Sequence, residues 1–503
     1  MRRVCIGLLF IVLLSVKGQA QTAPAGRFQR FDFKLKGEIT DVITEDLDGD
    51  GLDEALAVHV DQSTDPPQRH LAIFRQDQDG FDLKKRTDWT FPPEVAAIDV
   101  GDVAADPGRE LCFITEDGVS YAVVRDGKVG ALKSLFPAPS MVAIAYERGV
   151  PYYNFVRDYT GDGKDDALVV GFARSLFAKQ TAPGEFAIQE LRLRPRMDIQ
   201  AFDVGKLLGD SESPMFRVAY YAPQVNILDT NNDGLTDLVV NFESRVLVFT
   251  QNAQGFSIEP AQVYDLKLMA DEDRHRPGRN RPNFAFADLD RDGRMDVLAT
   301  QSQGGLANMT SRTVLYWGNG DDLAKNQPSQ EFKLDNTVMS IFVRDVNNDK
   351  LPDLIMPTMN LGAWTAGKVL ITGGLTVTWN IFLQRPGHKF NNAPDRSFNT
   401  DLKFNISKFQ LDSGIPNVFG DFNGDGFPDE AVGADKDLLV VNLRDQNGQL
   451  MGIEERIAIP SSMFNRAIDL NRDGKSDIVI NYEEESDYAS EFHILINRGS
   501  WSK

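Results

Sequence analysis

Short apolar runs recur along the chain, and each run directly follows a turn that is rich in aspartate, asparagine and glycine. Continuous β-rich runs bounded by turn residues are typical of strands that are covered on both faces. A second apolar run usually follows, as in residues 245–250 and 437–442. The pattern therefore predicts an all-β chain made of repeated antiparallel units. The runs after the turns are residues 55–58, 167–170, 238–240, 297–299, 354–356 and 478–480.

The turns share a nine-residue pattern, Asp-x-Asp/Asn-x-Asp-Gly-x-x-Asp/Glu. Consecutive starts lie between 48 residues apart, from Asp421 to Asp469, and 76 residues apart, from Asp345 to Asp421. A period near sixty residues accommodates the four strands of one propeller blade, whereas solenoid repeats are shorter. We therefore predict a single β-propeller of eight blades, or of seven if the worn copy at Asp102 forms none. The starts are Asp46, Asp102, Asp158, Asp229, Asp288, Asp345, Asp421 and Asp469.

The ends of the chain predict how the ring closes. After the last turn only two clear strands follow, while residues 27–35, with alternating Phe28, Phe31 and Phe33, precede the first turn without a blade of their own. We expect this segment to be the outer strand of the last blade, because that pairing covers two edges that would otherwise be exposed. The propeller domain is assigned to residues 21–503.

Residues 1–20 have the pattern of a secretion signal. Arg2 and Arg3 precede an apolar stretch at residues 6–16, and small residues stand at the cleavage positions up to Ala20. The stretch is roughly half of the ~20 apolar residues that a membrane span needs. No later segment of the sequence is a transmembrane candidate. We therefore expect an exported protein that is periplasmic, on the cell surface or extracellular.

The charge of the chain points to a cation as a partner. Lysine and arginine number 53 against 74 aspartates and glutamates, which gives a formal net charge of −21. That sign argues against a nucleic-acid binder or an anionic-membrane binder, because both need basic surface. The only two cysteines, Cys5 and Cys112, rule out a disulfide framework or a thiolate zinc cluster within one copy.

The turn motif has the donor set of a calcium loop. Positions 1, 3 and 5 supply side-chain oxygens, position 6 is a glycine that lets the backbone reverse, position 7 offers its carbonyl, and position 9 returns a carboxylate. An all-oxygen cage suits calcium better than zinc or magnesium. An EF-hand is excluded because position 12, which needs glutamate, holds residues such as Ala57 and Ile480.

We predict up to seven structural Ca²⁺ ions. Two of the seven copies are altered, since Thr160 stands at position 3 in one and Lys350 replaces glycine in the other. The copy at Asp102 has Ala104 and Pro107, and we expect it to hold no metal. The predicted ligands are Asp46, Asp48, Asp50 and Glu54; Asp158, Thr160, Asp162 and Asp166; Asp229, Asn231, Asp233 and Asp237; Asp288, Asp290, Asp292 and Asp296; Asp345, Asn347, Asp349 and Asp353; Asp421, Asn423, Asp425 and Asp429; and Asp469, Asn471, Asp473 and Asp477.

Two stretches resemble known repeats. Residues 418–434 closely resemble an FG-GAP repeat of the integrin α-subunit propeller, although Asp435 stands where that family usually has proline. Residues 46–51 look like the related VCBS repeats of secreted bacterial proteins. The resemblance implies a calcium-stabilised propeller of seven or eight blades used for adhesion or recognition. A minority of similar propellers, including rhamnogalacturonan lyases, are enzymes.

A ligand surface is expected on the face opposite the calcium loops. Strands of an antiparallel blade alternate in direction, so the first connections, which hold the motif, share one face. Longer segments, which we expect to be irregular, fall mostly on the other face, where loops commonly carry binding residues. They are residues 194–222, 265–284, 357–375 and 403–416. Aromatic rings there can stack on sugars, and arginines can bind acidic groups. The alternative is that the aromatic rings only pack within the protein and the arginines belong to a solvated loop. The candidates are Tyr220, Tyr221, Arg274, Arg276 and Trp364.

Two classes of function remain after a search for catalytic motifs. The sequence has no HExxH, no GxSxG and no phosphate-binding glycine loop. We therefore favour a secreted, non-catalytic recognition, adhesion or scaffold module whose ligand is a protein or a glycan. The alternative is a calcium-dependent polysaccharide lyase or glycosidase, whose acid and base come from distant blades and leave no local motif.

Overall fold

Strands make up nearly all the regular structure of this chain. The computed structural model describes residues 26–142, 144–202, 215–269, 281–304, 309–318, 322–360, 374–405, 410–411, 414–482 and 486–501. In that part of the chain the one helix is a single turn, α1 (Asp322–Lys325). None of its helices is long and apolar enough to cross a membrane. The predicted all-β class is therefore confirmed.

The first half of the chain forms one N-terminal strand, four blades and a separate two-stranded ribbon. Each blade is a four-stranded antiparallel sheet whose first strand is innermost. The N-terminal strand is β1 (Phe28–Lys34). Blade 1 contains β2 (Glu38–Glu45), β3 (Glu54–Asp61), β4 (Gln68–Asp77) and β5 (Gly80–Thr90). Blade 2 contains β6 (Val95–Gly101), β7 (Glu110–Thr115), β8 (Gly118–Ala122), the short pair β9 (Val124–Arg125) and β10 (Lys128–Val129), and β11 (Lys133–Pro137). Blade 3 contains β12 (Val156–Arg157), β13 (Asp166–Val169), β14 (Ser175–Ala182) and β15 (Glu185–Leu191). The ribbon is β16 (Arg196–Phe202) and β17 (Met215–Tyr221). Blade 4 contains β18 (Val225–Leu228), β19 (Asp237–Phe242), β20 (Arg245–Phe249), the short pair β21 (Gln251–Asn252) and β22 (Gly255–Phe256), and β23 (Gln262–Asp265).

The second half of the chain forms four more blades, which makes eight in the described part of the chain. In blade 7 the innermost position is reduced to a bridge between Asn417 and Ala431. Blade 5 contains β24 (Asn283–Ala287), β25 (Asp296–Gln303), β26 (Thr310–Tyr316) and β27 (Gln330–Asp335). Blade 6 contains β28 (Thr337–Val338), β29 (Phe342–Arg344), β30 (Asp353–Met359), β31 (Gly374–Phe382), β32 (Arg396–Asn405) and β33 (Gln410–Leu411). Blade 7 contains β34 (Glu430–Asp435), β35 (Leu438–Arg444) and β36 (Leu450–Ile457). Blade 8 contains β37 (Asn465–Ile468), β38 (Asp477–Asn481) and β39 (Glu491–Asn497).

Hydrophobic clusters between neighbouring blades hold the ring together. Among the described residues there are eight such clusters, one for each pair of adjacent blades around the full circle. The second strand of each blade is buried on both faces because both of its faces contact a neighbouring blade, as in β3, where every residue is buried. The continuous apolar runs of the sequence are these second strands.

Strand β1 closes the ring as the sequence predicts. It pairs antiparallel with β39 from Phe28 opposite Asn497 to Lys34 opposite Glu491, and so becomes the outer strand of blade 8. Phe33 stacks on Phe492 with ring centroids 4.1 Å apart and reaches into the cluster between blades 8 and 1. The first and last parts of the sequence therefore share one sheet.

Two features of the fold are not among the predictions from the sequence. The segment at residues 194–222 was expected to be irregular, but it contains the ribbon β16–β17. Residues 151–153 add to the axis-facing edge of β6, since the Ile98 N–H donates to the Pro151 carbonyl (3.1 Å) and the Tyr153 N–H donates to the Ile98 carbonyl (3.0 Å). The Tyr152 N–H also donates to the carboxylate of Asp41 (3.3 Å) in blade 1. This inner segment depends on pairing across blades, which local sequence patterns do not report.

Candidate metal centres

The seven acidic turns have one common backbone geometry. In each turn the N–H of position 6 donates to Oδ2 of the position-1 aspartate, at 2.7 to 3.0 Å. The N–H of position 7 donates to Oδ1 of the position-5 aspartate, at 2.8 to 3.1 Å. Both carboxylates are therefore oriented by main-chain donors of their own loop.

Two positions of each turn adopt the left-handed backbone conformation. Position 6 does so in all seven copies, and Lys350 adopts it with φ of 70° where the other copies have glycine. Position 4 is also left-handed in every copy, which the sequence motif did not reveal because glycine, asparagine and arginine all occur there. An example is Arg472 with φ of 54°. Such conformations cost a non-glycine residue energy, and the loop hydrogen bonds offset that cost.

In two of the seven turns, three carboxylates lie close enough together to share one calcium ion. One carboxylate oxygen each from Asp46, Asp48 and Asp50 lies within 4.8 Å of the others, and the same holds for Asp288, Asp290 and Asp296. Oxygens that share a Ca²⁺ ion at 2.3–2.6 Å lie at most about 5 Å apart. In the Asp158 copy Thr160 is buried at position 3. Residues at positions 1, 3, 5 and 9 would hold the ion, and the position-7 carbonyl is the remaining protein ligand of such a loop.

The position-9 carboxylate also braces the loop against the sheet. Asp296, for example, is 1% exposed and accepts the Leu289 N–H at Oδ2 and the Gly318 N–H at Oδ1, both at 2.7 Å. In all seven copies the position-9 carboxylate accepts one N–H from the start of the loop and one from within or just after the third strand of the blade. In the Asp158 copy the first donor is the position-3 N–H of Thr160 (3.2 Å). The bridging carboxylates are those of Glu54, Asp166, Asp237, Asp296, Asp353, Asp429 and Asp477.

Burial raises the pKa of these bracing carboxylates. Removal from water disfavours the charged form and is the largest cause, and neighbouring loop carboxylates raise the pKa further. The pKa reaches about 7 in Glu54, Asp296, Asp429 and Asp477, and about 6 in Asp166 and Asp353; it is also raised in Asp237. A divalent cation would supply the opposite charge that these groups lack.

The altered copy at Asp102 keeps the brace, and an arginine beside it contacts both neighbouring blades. Glu110 is 1% exposed and accepts the N–H groups of Val103 (3.0 Å) and Ala104 (3.1 Å). Arg109, in the same loop, contacts Glu45 of blade 1 (2.7 Å) and Asp165 of blade 3 (3.2 Å). The brace at position 9 therefore persists in a loop that lacks the position-3 ligand and the position-6 glycine.

Side-chain amides connect neighbouring loops, and they lie outside the nine-residue sequence motif. Gln180 donates to the carbonyl of Asp102 (3.0 Å), and Gln251 donates to that of Thr160 (3.2 Å). In both cases the same residue also gives its main-chain N–H to the position-9 carboxylate of its own blade. Gln384 and Asn497 repeat the arrangement. Both glutamines stand fourteen residues after position 9, which is a weak sequence signal, but the spacing differs in the other two blades.

The predicted ligand residues are only partly within the described structure. Tyr220 and Tyr221 are in β17, and each is more than two-fifths exposed. Their ribbon connects the outer strand of blade 3 with the inner strand of blade 4, so it lies on the face opposite the acidic loops. Arg274, Arg276 and Trp364 lie outside the described residues, as does the signal segment at residues 1–20.

A cavity of about 420 Å³ lies on the other face, beside the acidic loops. Its wall includes Arg157, Asn226 and Phe286 of the inner strands, together with the position-1 residues Asp229 and Asp288. It is therefore adjacent to two candidate metal centres rather than to the longer connections.

The fold and its loops define a class, a β-propeller with an acidic turn in the first connection of each blade. Residues 229–299, which run from the fourth loop motif into blade 5, match the family model described as an FG-GAP-like repeat. The predicted resemblance to the FG-GAP repeat propeller family is therefore confirmed. No curated protein matches this chain in sequence.

Several solved structures are similar to the chain. BBS1N in complex with ARL6DN has 8% identity, covers 82% of this chain and 96% of its own, and has a TM-score of 0.37. An Agrocybe aegerita lectin that recognises non-reducing terminal N-acetylglucosamine has 13% identity, covers 74% and 94%, and has a TM-score of 0.34. The dihydro-heme d1 dehydrogenase NirN has 11% identity, covers 84% and 67%, and has a TM-score of 0.38. Identities this low concern the fold alone.

Proposed function

We propose that this protein is an exported propeller that binds several structural calcium ions and acts as a non-catalytic recognition, adhesion or scaffold module. The observation that carries the proposal is the repeated loop: seven turns on one face orient the same carboxylates with the same hydrogen bonds. The FG-GAP-like repeat supports a recognition or scaffold role at the level of the fold.

Calcium has a clear physical task in this proposal. The chain carries −21 overall, and after removal of Arg2, Arg3 and Lys17 with the first twenty residues it carries −24. Seven Ca²⁺ ions add +14 and bring that value to −10. Each ion that binds only the folded state stabilises it by about 2.7 kcal/mol at a hundredfold excess over its Kd. The ions would therefore hold the acidic loops compact and leave the opposite face for a ligand.

The test of calcium binding combines stoichiometry with stability. Metal-depleted protein is titrated with Ca²⁺ and, separately, with Mg²⁺, and bound metal is measured by mass spectrometry after equilibrium dialysis. We expect up to seven Ca²⁺ per chain, weak Mg²⁺ binding, and a melting temperature that falls substantially in EDTA. An unchanged melting curve in excess EDTA would refute a structural role for calcium.

The test of recognition uses a glycan array with and without calcium, beside a lyase and glycosidase assay on acidic polysaccharides. Binding without turnover supports the recognition module. Calcium-dependent depolymerisation would overturn the non-catalytic assignment and favour the enzyme alternative.

A further inference from the structure

The ribbon β16–β17 presents its apolar face to solvent and its charged face to the protein. Met197 stands opposite Tyr220 and Ile199 stands opposite Val218 in the register, so these four side chains share one face. They are between 42% and 49% exposed. A ribbon on a soluble protein ordinarily packs its apolar face on the core. In this ribbon the apolar face is exposed instead.

An ionic network fixes the ribbon in this orientation. Asp198, on the opposite face, is contacted by Arg281 (3.1 Å), which also lies 3.6 Å from Glu243 at the turn after β19 in blade 4. The side chains of Asp198 and Arg281 are only 12% and 17% exposed. Arg196 on the same face contacts Asp198 (3.5 Å) and stacks over the ring of Tyr221 (3.9 Å). The charged face is therefore the one tied to the protein.

Phe172 extends the exposed apolar face toward blade 3. It lies in the connection between β13 and β14, is 53% exposed, and packs edge-on against Tyr220 with ring centroids 4.8 Å apart. We call the five side chains together the ribbon patch: Phe172, Met197, Ile199, Val218 and Tyr220. Five half-exposed side chains of this size offer on the order of 400 Å² of contiguous surface, which is the size of the largest apolar patch on a typical monomer, and such patches are often functional.

We propose that the ribbon patch is the self-association surface of this protein, where it packs against the same patch of a second copy about a twofold axis. A flat face of cross-strand apolar pairs is the shape that a second sheet face fits, as in sheets packed face to face. A twofold contact uses the same patch twice and closes on itself. The patch with its rim gives a total buried area near the ~1,000 Å² lower limit of specific interfaces, which corresponds to a weak dimer.

Ion pairs beside the ribbon patch allow two acidic copies to meet at this face. The chain as a whole carries −21, so most contacts between two copies bring like charges together. Beside the ribbon patch, Arg174 pairs with Glu190, and Arg192 pairs with Glu259 at 2.6 Å. Both signs thus occur at this rim, so the contact does not bring two uniformly acidic surfaces together. The inference goes beyond the proposed function and does not depend on calcium binding.

The experiment is sedimentation of the full chain over roughly 1–100 μM, in metal-depleted buffer and in calcium. We expect the mass to rise from one copy toward two, and the apparent Kd to tighten roughly threefold or more between 0.05 and 0.5 M NaCl, because salt screens the net repulsion. The variant Ile199→Thr/Val218→Thr keeps β propensity but loses apolar contact, and it should remain monomeric. The matched control is Val263→Thr, an exposed strand valine (54%) outside the patch, which should dimerise normally.

Hydrogen exchange of the unmutated protein gives a measurement that needs no variant. Amides of residues 215–221 should exchange more slowly at high than at low protein concentration. A protein that stays monomeric throughout, or a dimer that the double variant leaves intact, would overturn the proposal. So would a monomer that instead binds phosphatidylcholine vesicles through the patch, since the occupant would then be a lipid surface.

Discussion

The position-9 carboxylates should make the effect of pH on stability reverse when calcium is removed. Their pKa in the folded protein is raised, to about 7 in Glu54, Asp296, Asp429 and Asp477, whereas unfolded chains have values near 4. Between these values the folded state binds more protons than the unfolded state. Without metal, the free energy of unfolding must therefore fall as pH rises toward 7. With calcium, which needs the deprotonated groups, it should rise with pH.

The size of the effect follows from the shifts. One pKa unit corresponds to about 1.4 kcal/mol, so a group with a folded pKa of about 7 changes the free energy of unfolding by about 2 kcal/mol between pH 5.5 and pH 8. Four such groups make the free energy of unfolding depend strongly on pH, although their mutual repulsion reduces the contribution of each one. Below pH 4 the unfolded state is protonated as well, and the dependence from these groups ends.

The assay is urea unfolding followed by tryptophan fluorescence from pH 5.5 to pH 8, in metal-depleted buffer and in 1 mM Ca²⁺. Asp296→Asn removes one titrating carboxylate. Without metal, it should reduce the change in the free energy of unfolding between pH 5.5 and pH 8 by about 2 kcal/mol. Asp82→Asn is the control, because Asp82 is an exposed aspartate whose pKa is lowered by the Lys84 N–H, so it stays ionised throughout. Equal slopes with and without calcium would refute the reasoning.

Three further predictions follow from the ring and its loops. Phe33→Ala should lower the free energy of unfolding in urea by about 3–5 kcal/mol, because it removes a buried ring where β1 closes the propeller. The control Phe464→Ala, at a residue that is 58% exposed, should change it little. Equal effects of the two substitutions would contradict the assigned role of β1. Arg109→Met leaves two carboxylates without their counter-ion and should lower the free energy of unfolding by about 1–3 kcal/mol. The loss should be smaller in 0.5 M than in 0.05 M NaCl. A loss that salt does not change would count against an ionic role. Asp48→Ala should remove one Ca²⁺ from the measured stoichiometry while leaving metal-free stability within about 1 kcal/mol, and an undiminished count would exclude Asp48 as a ligand.

The acidic loops were predictable because each is a local structure. Nine consecutive residues contain the main-chain donors at positions 6 and 7 and the carboxylates that accept from them, so residues such as Asp46 and Asp50 could be placed from the sequence alone. Ring closure was also predictable, because residues 27–35 alternate apolar positions and the last blade has one strand too few.

The cross-blade features were not predictable in the same way. The amide of Gln384 donates to the carbonyl of Leu289, which lies 95 residues away in the chain. The ribbon was missed because its apolar positions point outward, against the usual rule that apolar strand faces are buried. Its orientation depends on Asp198 and Arg281, which are 83 residues apart and meet only in the folded ring.

The sequence by itself determined the all-β class, the repeat and the oxygen-rich loops, because turn chemistry and strand alternation act over fewer than ten residues. The tertiary structure decided which carboxylates are buried, which loops are tied together, and which face of the ribbon meets solvent. Those outcomes depend on contacts between residues far apart in the chain, since burial and the pKa shifts that follow from it exist only once the blades have packed into a ring.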